Sequence, residues 1–97
     1  MKLDQKYFEL IRNYLKDKPV KKAYLFGSFS TGNEMPESDI DILVDLDYTN
    51  PIGLEFVQMQ LDLEKILDKK VDLVSSNGLS KHIQPYIDKE KVLIYAR

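Results

Sequence analysis

Asp39-Ile40-Asp41 sets two carboxylates at i and i+2, directly ahead of the apolar run Ile42-Leu43-Val44. Successive side chains of a β-strand point to opposite faces, so Asp39 and Asp41 share one face. Two carboxylates held side by side repel each other unless cations stand between them. Ten residues upstream, Gly27-Ser28 offers bare backbone N–H groups and a hydroxyl, the donors that phosphates need. Oxygen ligands of this kind suit Mg²⁺, which is commonly held by one or two carboxylates together with substrate phosphates. A metal element and a phosphate element one loop apart point to nucleotide chemistry.

The rest of the chain bounds the fold. Ninety-seven residues make one small domain, 1–97, with a modest core. No apolar stretch approaches the ~20 residues of a membrane helix, and Met1 to Lys6 lacks the apolar centre of a signal peptide. There are no cysteines, which excludes disulfides and thiolate metal sites. A cytoplasmic location fits. A net charge of −2 argues against a large basic surface for nucleic acid, though not against a single nucleotide.

Periodicity orders the elements. Tyr7, Phe8, Leu10, Ile11, Tyr14 and Leu15 recur at helical spacing, predicting a helix over Asp4–Asp17 with Asp4 as N-cap. Val20–Phe26 reads as a strand running into Gly27. Residues 28–38 read as a polar loop, and Ile40–Leu46 as the second strand. Pro51 is expected to open a long helix to Leu67, with Leu54, Val57, Leu61, Leu63 and Leu67 as its apolar positions. Val71–Val74 is a third strand. Ser80 is expected to cap a helix to Glu90, which Pro85 kinks, and Val92–Tyr95 is a last strand. The order α-β-β-α-β-α-β predicts an α/β fold of the α+β type: a small mixed sheet with helices packed mainly on one face.

Asp72 lies on the third strand. If that strand pairs beside the second, a spacing of roughly 4.8 Å brings Asp72 to Asp39 and Asp41. Three carboxylates on one face would make a two-metal site with ions about 3.5–4 Å apart. One ion would bridge nucleotide phosphates. The other would activate the attacking hydroxyl, with Asp72 as ligand and proton acceptor. Blander readings apply elsewhere. Asp45 and Asp47 read as solvent-facing or turn residues, and Gly32 as a backbone necessity of the loop. The lone His82 and the pairs Lys21-Lys22 and Lys69-Lys70 read as solvated.

Gly27-Ser28-Phe29-Ser30-Thr31-Gly32, followed by Ser38-Asp39-Ile40-Asp41-Ile42-Leu43-Val44, resembles the signature of the polymerase-β-like nucleotidyltransferases. The compact length and the segment from Val71-Asp72-Leu73-Val74 to Tyr95-Ala96 are similar to the minimal nucleotidyltransferase (MNT) group. The resemblance implies the polymerase-β-like fold. It implies Mg²⁺, two ions, held by Asp39, Asp41 and Asp72 as metal-binding and catalytic residues. It implies Gly27 and Ser28 as the nucleotide-binding turn. Thr31 departs from the pattern, since many relatives carry an arginine there, so no phosphate contact from an arginine is carried over. MNT proteins commonly serve as antitoxins beside a HEPN-domain toxin, and some transfer AMP from ATP to a toxin tyrosine. The resemblance therefore implies ATP as substrate and a HEPN toxin as partner; with the composition above, neither membrane nor direct nucleic-acid binding is expected. The alternative it leaves open is a non-catalytic antitoxin that masks its toxin by steric binding.

Overall fold

The structure is a computed structural model; it describes residues 5–26, 39–49, 51–79, 81–82 and 84–97. Its elements follow in the order α1 (Gln5–Leu15), β1 (Val20–Phe26), β2 (Ile40–Leu46), α2 (Glu55–Leu67), β3 (Val71–Ser75), α3 (Gln84–Glu90) and β4 (Val92–Ala96). A single 3-10 turn, Ser76–Gly78, follows β3. The strands form one mixed sheet in the order β3-β2-β1-β4. β1 runs antiparallel to both β2 and β4, whereas β3 runs parallel to β2. The α/β class and the element order are as the periodicity predicts. None of the helices among the described residues is long and apolar enough to cross a membrane.

Alternation decides the two faces of the sheet. Ile40, Ile42, Val44 and Leu46 of β2 enter the core with Ala23 and Leu25 of β1, Val71 and Leu73 of β3, and Ile94 of β4. α1 closes this face with Ile11 and Leu15, and α2 with Met59, Leu63 and Leu67. Tyr14 of α1 donates to Asp62 of α2 at 2.6 Å, tying the two helices together above the core. Leu63 is fully buried. Replacing it by Ala removes buried methyl groups and leaves a cavity, at a cost of about 2–5 kcal/mol. A denaturant titration should show the midpoint fall accordingly, and an unchanged midpoint would contradict this core.

Three boundaries differ from the sequence reading. α2 begins at Glu55, not Pro51, because Gly53 holds φ +51° and the chain turns there before the helix can start. Pro85 lies in the first turn of α3, where a missing N–H costs nothing, so it starts that helix instead of kinking it. α3 begins at Gln84, not Ser80, because residues 81–82 form a turn. The expected caps Asp4 and Ser80 lie outside the described residues. The apolar positions of α2 also divide. Leu63 and Leu67 are core, but Leu54, Val57 and Leu61 are 85%, 54% and 47% exposed on the opposite side. Both stripes have helical spacing, and the sheet selects the one containing Met59.

Both outer strands have main-chain groups engaged by side chains. On β3, the N–H of Val71 donates to Glu64 Oε2 at 3.1 Å and that of Leu73 to Gln60 Oε1 at 3.4 Å. On β4, the pairing with β1 skips Ile94, a bulge that turns this side chain into the core. Its carbonyl accepts from Arg12 Nε at 2.7 Å.

Candidate active site

The face of β2 opposite the core carries Asp41, Leu43 and Asp45, by the same alternation. In register with Asp41 lie Phe26 of β1 on one side and Asp72 of β3 on the other. The next row is Tyr24, Leu43 and Val74. Directly opposed residues of neighbouring strands share a face, so Asp41 and Asp72 stand together. Asp39 lies just before β2 begins. β1 ends at Phe26 and β2 begins at Ile40, so the intervening segment 27–38 connects two adjacent strands at the end of the sheet that carries the aspartates. Gly27, Ser28 and Thr31 belong to that segment and lie outside the described residues.

The electrostatics register the crowding. The Asp41 carboxyl is pushed up to about 6, first by burial, then by the charges of Asp72 and Asp39, and last by a hydrogen bond with Asp72. Here the sequence expectation holds: the parallel pairing of β2 with β3 brings Asp72 to Asp41. Among the described residues, no three His, Cys, Asp or Glu side chains converge tightly enough to enclose an ion unaided. A pair of aspartates fits an ion whose remaining ligands are phosphate oxygens and water, the usual arrangement for Mg²⁺. Such a cation would also relieve the repulsion that holds the Asp41 carboxyl up.

This carboxyl makes stability depend on pH. A carboxyl whose pKa is raised on folding stabilises the fold at low pH, and that contribution is lost as pH rises to and through the folded value. The metal-free chain should therefore lose stability as pH approaches about 6. Asp47 and Asp62 are held below the usual carboxylate range by their hydrogen bonds, so their contributions have the opposite sign and are gained as pH rises through the unfolded value of 3.8; the Asp41 decline is read above about pH 5, where those contributions have levelled off. Melting curves across that range should show the decline, and Asp41→Asn should flatten it. An equal slope in that variant would mean another group is responsible.

The other acidic candidates lie elsewhere. Asp47 accepts from the hydroxyl and the N–H of Thr49, forming a turn cap, and pairs with Arg97 at 2.5 Å. It is the turn residue that the sequence suggested. Asp45 shares the aspartate face but stands two rows from Asp41, towards the far end of β2. His82 and Lys21-Lys22 are exposed, while Lys69 is partly buried.

The neighbours that the sequence reading passed over are apolar. Phe26, Val74, Leu79 and Ile87 line a cavity of about 420 Å³ together with Asp41 and Asp72. Ile87 comes from α3, which therefore borders the aspartate face while α1 and α2 cover the other. Strand register would have found Phe26 and Val74, since Phe26 adjoins Gly27 and Val74 follows Asp72 by two positions, on the same face of the strand. Leu79 and Ile87 carry no sequence signal of this kind.

Residues 9–97 match the family described as Polymerase beta, Nucleotidyltransferase. A Methanocaldococcus jannaschii protein provisionally assigned as a protein adenylyltransferase is 43% identical over 94 residues, covering 90% of this chain and 91% of that protein. Among solved structures, a toxin–antitoxin with AMP-PNP superposes with a TM-score of 0.79 at 27% identity, covering 93% of this chain and 73% of that one. A complex of a tri-AMPylated Shewanella oneidensis HEPN toxin with an MNT antitoxin superposes with a TM-score of 0.65 at 25% identity, covering 96% and 69%.

Proposed function

The chain belongs to the polymerase β family of nucleotidyltransferases, and on that premise we propose that it transfers AMP from ATP to a tyrosine hydroxyl of a partner HEPN toxin, acting as the antitoxin. The observation that carries this reading is the in-register pair Asp41–Asp72, with Asp39 one step before it. A protein that only masks a surface gains nothing from crowding carboxylates until the Asp41 carboxyl is pushed up to about 6. The AMP-PNP and AMPylated-toxin complexes of similar proteins support the nucleotide and the partner.

In this reading the 97 residues form one catalytic domain that works in the cytoplasm, without membrane or direct nucleic-acid binding. Asp39, Asp41 and Asp72 would hold Mg²⁺, two ions in the full site. When bound, the metal neutralises charge on the phosphate oxygens. Gly27 and Ser28 would bind the phosphates through backbone N–H groups and the hydroxyl. Asp72 would take the proton from the acceptor as its oxygen bonds to the α-phosphorus and pyrophosphate leaves. The remaining contribution is alignment of acceptor, phosphorus and leaving group.

The test combines the purified chain with Mg²⁺-ATP and the proposed HEPN partner. Intact-mass spectrometry should show AMP added to the HEPN protein, release of pyrophosphate, and loss of both on chelation of Mg²⁺. If the HEPN protein is neutralised equally well by the Asp39→Asn, Asp41→Asn double variant, without a mass change, the steric reading replaces the catalytic one.

A further inference from the structure

We propose that the outer face of α2 is a self-association surface, and that its occupant is α2 of a second copy of this chain, packed antiparallel. Leu54, Val57 and Leu61 form the face. They recur at i, i+3 and i+7, one stripe of a helix, and stand opposite Leu63 and Leu67, which the sheet buries. Leu54 is the most exposed large apolar side chain among the described residues. Single surface leucines are ordinary, but a contiguous apolar stripe on one helix marks a contact.

The charges at the two ends of α2 select the occupant. Glu55 lies in the first turn and Lys65 in the last, both exposed. Neither is in an ion pair among the described residues. A second α2 laid antiparallel along the stripe brings its Lys65 to Glu55 and its Glu55 to Lys65, so two pairs close by symmetry. The helix dipoles then run head to tail. In that register Leu61 of one copy inserts between Val57 and Leu61 of the other, and Leu54 lies along the aliphatic stem of Lys65. A parallel pairing would set Glu55 on Glu55 and Lys65 on Lys65. Size sets the strength. The 13 residues of α2 make a face about 20 Å long and about 10 Å wide. That is well under the roughly 800 Å² a side of a standard interface, so the dimer is weak, with a dissociation constant in the micromolar range or above. α2 covers the core side of the sheet, so Asp41 and Asp72 on the other side stay open in the pair.

Sedimentation velocity of the full chain, from micromolar to millimolar concentration at low salt, tests this. The chain should pass from monomer to dimer. Leu61→Glu should raise the dissociation constant by about tenfold or more, and Val57→Lys should repeat the loss from the neighbouring turn. Both side chains are exposed, so the melting temperatures should hold. Lys65→Glu sets like charges together twice and should weaken the dimer roughly fivefold. Adding Glu55→Lys reverses every pair and should restore it. A chain that is monomeric at every concentration overturns the proposal. A dimer indifferent to Leu61→Glu lies elsewhere on the surface and overturns it too. No effect of Lys65→Glu, or one that Glu55→Lys does not reverse, rules out the antiparallel pairing. If the chain stays monomeric and the HEPN protein covers Leu54, Val57 and Leu61 instead, the face belongs to that partner.

Discussion

Asp41→Asn should lower AMP transfer by about a thousandfold or more, the scale on which charge stabilisation at a reacting phosphate operates. Asp39→Asn should approach the same loss. Each change keeps the size of the side chain and removes one metal-ligating charge. The Asp41 carboxyl is crowded by burial and by Asp72 and Asp39, so removing its charge relieves strain in the empty site. The variant should therefore melt at the same temperature as the unmodified chain, or higher, at neutral pH without Mg²⁺. Catalysis and stability thus move in opposite directions, which separates this outcome from simple misfolding. Transfer near the unmodified level at saturating Mg²⁺ would rule out the metal role.

Asp72→Asn should lower turnover by roughly a hundredfold or more, in keeping with loss of a proton acceptor, while Mg²⁺-ATP binding changes little. The strand order supplies the argument. Asp41 is on β2, beside the end of β1 from which residues 27–38 depart. Asp72 is on β3, one strand farther from that exit. A carboxylate so placed serves the acceptor more than the phosphates. Calorimetry with Mg²⁺-ATP and a transfer assay on the same preparation divide the two effects. Equal losses in both would show that Asp72 holds the nucleotide as much as it serves the acceptor.

Much of this was legible in the chain because the signals were local. Alternation in Asp39-Ile40-Asp41-Ile42 predicts a strand with its carboxylates on one face; β2 carries Asp41 on that face, and Asp39 lies just before the strand begins. The meeting of Asp41 with Asp72 needed one further assumption, that β3 lies beside β2, and the parallel pairing supplies it. What could not be read was long-range. Leu54, Val57 and Leu61 have the same spacing as the core stripe of α2, so only the position of the sheet distinguishes them. Gly53 displaced the start of α2 through its backbone conformation, which a Pro51 signal upstream could not reveal. The apolar walls at Leu79 and Ile87 come from a turn and a short helix that no motif marks. Gly27 and Ser28, the phosphate half of the sequence argument, fall outside the described residues, so their role rests on the motif and the resemblance.

Glu64, Gln60 and Arg12 have a consequence beyond stability. Unpaired strand edges let one chain zip onto another, and proteins commonly guard against it. Here two donors on β3 and one acceptor on β4 are already engaged by the molecule's own helices. A visiting extended segment would have to evict Glu64 and Gln60, or Arg12, before it could add itself as a fifth strand. Edge-to-edge pairing of one chain onto another is disfavoured wherever these three groups would have to be released.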